Sequence, residues 1–204
     1  MARVSDPLAA LVARIRACRL CAADLPLGPR PVLRVAATAR LLIVGQAPGT
    51  KVHETGIPWN DRSGDRLRDW MGIGRDAFYD ETRIAIVPTG LCYPGRAAGG
   101  GDLPPSPSCA PTWFPLLLPL LDKVELTILA GGYAQAYHLG ARRRATMTET
   151  VAAWRDYLPE ILPLPHPSWR TTGWQRRNPW FEAELLPDLR RRVRALTDLI
   201  PPGR

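Results

Sequence analysis

The sequence predicts an α/β fold: a three-layer α/β/α domain around a central four-stranded, mostly parallel sheet. Two observations carry this. Four short, nearly continuous apolar runs occur, Leu41–Val44, Ile84–Val87, Leu126–Leu129 and Ile161–Leu164, and helical patterns fall between them. Strands that are apolar without alternation are buried on both faces, which requires a sheet covered by helices on each side.

The elements follow in order. A first helix is expected from Pro7 to Ala17, capped by Ser5 or Asp6, with Leu8, Leu11, Val12 and Ile15 on one face. Ser63–Met71 follows the first strand, Pro111–Leu121 the second and Tyr133–Leu139 the third. Asn178 is positioned to cap a last helix, Pro179–Leu199, with proline at its first position. No internal repeat interrupts the chain, and its 204 residues suit one domain, 1–204.

Composition narrows the function classes. No apolar run reaches the roughly 18 residues of a membrane span; the longest candidate, Phe114–Leu121, is broken by Pro115 and Pro119. The N-terminus lacks the apolar core of a signal peptide, so a cytoplasmic protein with no membrane partner is expected. The net charge is +8, and Lys51 and Lys123 are the only lysines. An arginine excess fits a polyanionic partner, because guanidinium pairs with phosphate and stacks on bases. Genomic base composition accounts for it equally well.

In parallel sheets, ligands bind where loops leave the carboxyl ends of the strands. Here these loops are Gly45–Asn60, Pro88–Cys109, Gly131–Tyr133 and Pro165–Arg177. The first opens with Gly45-Gln46-Ala47-Pro48-Gly49, a turn that lets backbone N–H groups approach a ligand. It is neither a Walker loop nor a dinucleotide fingerprint. Gly56-Ile57-Pro58-Trp59-Asn60-Asp61 adds an aromatic plate beside it, suited to reading a base by stacking. The last loop begins His166-Pro167-Ser168-Trp169-Arg170. His166 suits stabilisation of an anionic leaving group or proton movement, and Ser168 offers its N–H and hydroxyl to phosphate. Arg170, Arg176 and Arg177 are interleaved with Trp169, Trp174 and Trp180, a pattern for phosphate contact and base stacking. Of the other histidines, His53 lies in the first loop and His138 is expected on a helix surface.

The four cysteines are Cys18 and Cys21, spaced C-x2-C, then Cys92 and Cys109, which bracket a Gly- and Pro-rich loop. Thiolates in this number bind zinc or an iron–sulfur cluster equally well, and spacing alone does not separate them. Disulfides are disfavoured in a cytosolic chain.

Together these pieces resemble the uracil-DNA glycosylase superfamily, above all its iron–sulfur branch (families four and five). Gly45–Gly49 looks like motif A, and His166-Pro167-Ser168 looks like motif B, the loop that enters the minor groove. Gly56-Ile57-Pro58-Trp59 matches the family's Gly-x-Pro-Phe segment, whose ring stacks on the base. The cysteines match the order and approximate spacing of the cluster ligands, so the resemblance implies a [4Fe–4S] cluster held by Cys18, Cys21, Cys92 and Cys109. It spans the chain from about Cys18 to the last helix.

The resemblance implies hydrolysis of the N-glycosidic bond of uracil, or another deaminated base, in DNA, by a monomer. Gly45, Gln46, Ala47 and Trp59 then bind the base, and His166, Asp61 and His53 are the catalytic candidates. Glu54 stands beside them as a further candidate for placing water. Ser168, Arg170, Arg176 and Arg177 hold the DNA. Two positions depart from the family pattern. Ala47 stands where the best-known members carry the water-orienting Asp, as in the iron–sulfur branch. Pro88 stands where family four places an Asn on the pyrimidine edge, with Thr89 next to it and expected to point elsewhere. These departures leave a damaged-DNA-binding protein that grips without turnover, or covalently, as an alternative. A zinc-stabilised nucleotide- or RNA-binding module is a third reading.

Overall fold

A computed structural model describes residues 6–198. Four strands, β1 (Leu41–Val44), β2 (Ile84–Ile86), β3 (Leu126–Ala130) and β4 (Ile161–Leu164), form one sheet in the order β2-β1-β3-β4. Every pairing is parallel, with Leu41 opposite both Ile84 and Leu126, and Ile128 opposite Leu162. The expected sheet is present and wholly parallel.

Side chains along each strand alternate between two cores. Leu41, Ile43, Ile84, Ile86, Ile128 and Leu162 face one apolar cluster. It is completed by Leu67, Trp70 and Met71 of α3 (Arg62–Met71), Phe78 of α4 (Arg75–Tyr79), and Leu189 and Val193 of α9 (Leu186–Asp198). Leu42, Val44, Ala85, Val87 and Leu129 face the other. That side is closed by Leu8, Leu11 and Ile15 of α1 (Pro7–Arg16), by Phe114 and Leu117 of α5 (Cys109–Leu117), and by Ala134 and Leu139 of α6 (Gly132–Leu139). This arrangement is the three-layer sandwich predicted from the run pattern.

Helix ends follow local chemistry. Asp6 caps α1 by accepting from the Leu8 N–H at 3.0 Å. Ser5, the alternative cap, and Leu199, the expected end of the last helix, lie outside the described residues. The loops hold more helix than expected. Thr50–Thr55 forms α2 inside the first loop, Met147–Ala152 forms α7 behind a Thr146/Glu149 capping box, and Thr171–Arg177 forms α8 inside the last loop.

The C-terminal helical run begins where expected: the Asn178 carbonyl accepts from the Phe181 N–H at 3.0 Å and the Pro179 carbonyl from the Ala183 N–H at 3.1 Å. The Asn178 side chain does not cap it, however; it donates to the Trp174 carbonyl at 2.8 Å and closes α8. A π-helical turn, Phe181–Leu185, then leads into α9. His138 is corrected too. Its ring is packed edge-on to Phe114 at 4.8 Å between centroids, its Nε2 is buried without a partner, and burial pushes its pKa down to about 4.

Candidate active site

The chain leaves β1 toward β2 on one side and, after β2, crosses back to β3 on the other. The gap between the carboxyl ends of β1 and β3 is therefore a topological switch point, where open parallel sheets bind ligands. A cleft of about 500 Å³ lies at these strand ends. Gly45 to Gly49 form one wall, Pro58, Trp59 and Asp61 a second, and His166, Ser168, Trp169 and Arg170 a third. Pro88 and the segment around Asp102 complete it. Two neighbouring segments and a third more than a hundred residues on, each singled out by residue chemistry, meet in one place.

The first turn is held from beneath. Thr89 donates its hydroxyl and its N–H to the Gly45 carbonyl, at 2.7 and 2.9 Å, and the Gly90 N–H donates to the Gln46 carbonyl at 2.8 Å. Thr89 is buried, so it acts on the turn and not on a ligand. Among the described residues, the Gln46 and Ala47 N–H groups make no hydrogen bond. Two donors left unpaired beside a cleft are what a developing anion needs. The Gln46 side chain turns away and donates to the Leu103 carbonyl at 3.0 Å.

Trp59 is fixed from three directions. Its φ of 56° lies in the left-handed region, unusual for a bulky residue and sustained by the surrounding packing. Buried Arg68 donates to its carbonyl at 3.3 Å, and the Tyr79 hydroxyl donates to the preceding Pro58 carbonyl at 2.9 Å. A Cβ at Gly45 would stand 2.7 Å from the indole, and one at Gly64 1.8 Å from the Trp59 carbonyl oxygen. Both glycines are required by this ring. The indole lies 5.7 Å from the His166 ring, tilted by 34°.

His166 is set by its own loop. Its carbonyl accepts from the Ser168 N–H at 2.8 Å and from the Thr171 hydroxyl. Gly131, at φ +95°, lets the end of β3 approach: a Cβ there would meet the His166 Cβ at 3.2 Å. Burial pushes the His166 pKa below its ordinary value, opposed by the charge of Asp61. Burial therefore favours the neutral ring near pH 7. Arg66 of α3 anchors the same loop by donating to the Ser168 carbonyl at 2.7 Å.

The candidates do not all converge. Asp61 lines the cleft, but one oxygen caps α3 by accepting from the Gly64 N–H at 2.8 Å. His53 is not brought to the cleft lining: it sits on α2 beside Tyr93, 6.0 Å between ring centroids, with Nδ1 buried and unpartnered. Glu54, next to it, lies outside the lining as well. Arg170 lines the cleft and packs by Trp169 at 5.7 Å. Arg176 and Arg177 are exposed in the last turn of α8, away from it. Trp174 and Trp180 pack into the core against Phe181, so of the three interleaved tryptophans only Trp169, 79% exposed, is free to meet a ligand. The sequence reading passed over Ser63, Arg96 and Asp102, which also line the cleft. The acid standing at the end of a glycine run was the available signal for Asp102.

The cysteines form a second site. Cys18 and Cys21 follow α1, Cys109 opens α5, and Cys92 lies beyond β2; all four line one small pocket with Leu25, Pro31, Pro94 and Trp113. None of the four is joined in a disulfide. Cys109 Sγ accepts from the Leu91 N–H at 3.4 Å, and Cys21 Sγ lies 3.1 Å from the Ser106 hydroxyl. Burial, reinforced by the neighbouring thiols, pushes Cys92 up to about 11. Among the described residues, no three His, Cys, Asp or Glu side chains are arranged to hold a metal ion.

A strand-end cleft with unpaired backbone donors, a fixed aromatic plate and a buried histidine has the chemistry to receive a planar group that becomes anionic. The sequence matches the uracil DNA glycosylase superfamily over residues 34–190, and the chain belongs to that superfamily. The match includes the cleft walls, Cys92 and Cys109, and begins beyond Cys18 and Cys21. A solution NMR structure from Methanosarcina acetivorans, provisionally assigned as a uracil DNA glycosylase, is similar at 17% identity and a TM-score of 0.43, covering 77% of this chain and 92% of that one.

Proposed function

We propose that this protein is a DNA glycosylase that hydrolyses the N-glycosidic bond of uracil, or another deaminated base, extruded from DNA. The observation that carries this reading is the meeting of the Gly45–Gly49 turn, Trp59 and His166 around one cleft. The extruded base stacks on Trp59. As the bond to C1′ breaks, its electron pair moves onto the base, and the Gln46 and Ala47 N–H groups with neutral His166 stabilise the anion. Asp61 places a negative charge opposite the cationic sugar. Ser168, Arg170 and exposed Trp169 stand at the rim, where a backbone phosphate and the neighbouring base would lie. One chain suffices for this site, consistent with a monomer.

The four thiols are proposed to hold a [4Fe–4S] cluster. Each thiolate of such a cluster binds a different iron. Support for this reading is that all four thiols line one pocket. The N–H donated to Cys109 is the kind of contact that tunes and steadies a cluster. Hydrolysis of the N-glycosidic bond involves no net oxidation or reduction, so the cluster's role would be structural. Iron and sulfide content and a visible absorption band check the assignment, and their absence from anaerobically purified protein would refute it.

The enzymatic reading is tested with oligonucleotides containing uracil, hypoxanthine, xanthine or a thymine mismatch, as single and double strands. Release of free base is expected from at least one, and no release from any sinks the reading. The absence of an acid at Ala47 favours one alternative, a protein that grips damaged DNA covalently. A DNA–protein adduct surviving a denaturing gel would establish that alternative instead.

A further inference from the structure

We propose that Asp102, carried on a glycine-rich hairpin, is the water-activating base of this cleft and supplies the acid that Ala47 lacks. The inference rests on the glycosylase reading above. Arg96 and Asp102 pair as an isolated antiparallel bridge, and the Gly99-Gly100-Gly101 run turns the chain between them. Gly100 and Gly101 both have positive φ, 84° and 90°, so the run is shaped to turn tightly and lie low over the cleft. Its position is fixed on both sides. Asp102 Oδ2 lies 3.3 Å from where a Cβ of Gly49 would stand, so the carboxylate packs on the end of the first turn. The adjacent Leu103 carbonyl accepts the Gln46 side chain, and the Arg170 guanidinium packs on Gly101.

Two carboxylates line the cleft, and they differ in availability. Asp61 is engaged as a helix cap. The Asp102 side chain makes no hydrogen bond or ion pair among the described residues. Desolvation raises its pKa, Asp61 raises it further, and Arg96 opposes both. A carboxylate so raised is a better proton acceptor than an ordinary one. In the step assigned to it, the C1′–N bond has broken with its electrons on the base. A water oxygen forms the new bond to C1′ and passes its proton to the Asp102 carboxylate. The base anion takes a proton from solvent on release.

The test is single-turnover release of the preferred base by Asp102→Asn, Asp102→Glu and Asp61→Asn, with thermal melting as a fold control. The hairpin is solvent-facing, so melting is expected to stay unchanged in the Asp102 variants. Asp102→Asn is expected to lose about 100-fold or more in kcat with little change in KM. Asp102→Glu is expected to recover part of the loss. A base works only when ionised, so wild-type activity should fall with acid below a raised carboxyl pKa. Arg96, Arg170, Asp61 and His166 are the charged or titratable groups facing Asp102, and only loss of Asp102 itself should remove that acid limb. Activity of Asp102→Asn within about threefold of wild type, or a loss confined to KM, overturns the assignment while leaving the glycosylase reading intact. A wild-type protein that releases no base overturns both.

Discussion

At Trp59 the backbone is left-handed, the carbonyl accepts from Arg68, and the ring covers Gly45. Trp59→Ala should lower kcat/KM by about 10- to 100-fold, the worth of one base–aromatic stack. Trp59→Phe should keep most of the activity in the same excision assay. A second residue-scale effect concerns stability. His138 is held neutral with a pKa of about 4, against an ordinary 6.5, by burial. The unfolded chain takes up a proton that the folded chain refuses, so stability falls as pH drops from about 6.5 toward 4 and is unaffected above. The loss is at most about 3 kcal/mol. Urea unfolding of the wild type and His138→Leu across that range should show the slope flattened in the variant. Trp59 and His166 were legible in advance because each stands in a short motif within a loop at the carboxyl end of the sheet. Asp102 was not, since its significance lies in which turn it packs upon, a contact across 53 positions from Gly49 that composition does not carry.

The helix α3 carries the site on its first turn. Asp61 caps it, Gly64 lies under the Trp59 carbonyl, and Arg68 reaches back from the second turn to the same carbonyl. Gly64→Ala adds a methyl where 1.8 Å is available, so the helix start and the Trp59 turn must separate. The cost should reach about 2–3 kcal/mol, read as a lowered urea midpoint, with excision falling in parallel because the plate moves. The strands were legible because sheet burial on both faces leaves short apolar runs rich in Leu, Ile and Val, whereas the equally apolar Phe114–Leu121 carries two prolines and is helical over nearly all its length. The short helices α2, α4, α7 and α8 were not. Each is five to seven residues, too short for periodicity to rise above chance, and each depends on tertiary packing. Helix α8 shows the consequence. Its Trp174 reads in sequence as part of a basic, aromatic, DNA-facing stretch, whereas helical geometry turns it inward onto Phe181 and donates its Nε1–H to Thr148 at 2.8 Å.

For the molecule as a whole, the net charge of +8 sets an electrostatic expectation. Binding to any DNA should weaken with salt, with a log–log slope of about −0.9 per phosphate contacted. Arg170→Ala should reduce that slope by about one contact. The same substitution at Arg176 and Arg177 separates a wider footprint, in which the slope drops further, from a rim-only footprint, in which it does not. Fluorescence anisotropy at several salt concentrations reads both. The layered architecture was legible from the sequence; the convergence of its loops was not, because strand order is a long-range property. The order β2-β1-β3-β4 places the turn after β1 beside the end of β3, with the end of β4 one strand further on.

Cys92 and Cys109 line the same pocket, so the chain between them departs from and returns to one place. Asp102 and its glycines ride on that closed excursion. An open loop this rich in glycine would sample many shapes, and a ligand would have to freeze them at its own expense in affinity. With the proposed cluster tying both ends, the excursion would surrender that freedom before any DNA arrives. The thiol pocket, which shares Gly90 with the support of the Gln46 turn, would thereby pin the cleft's outer wall.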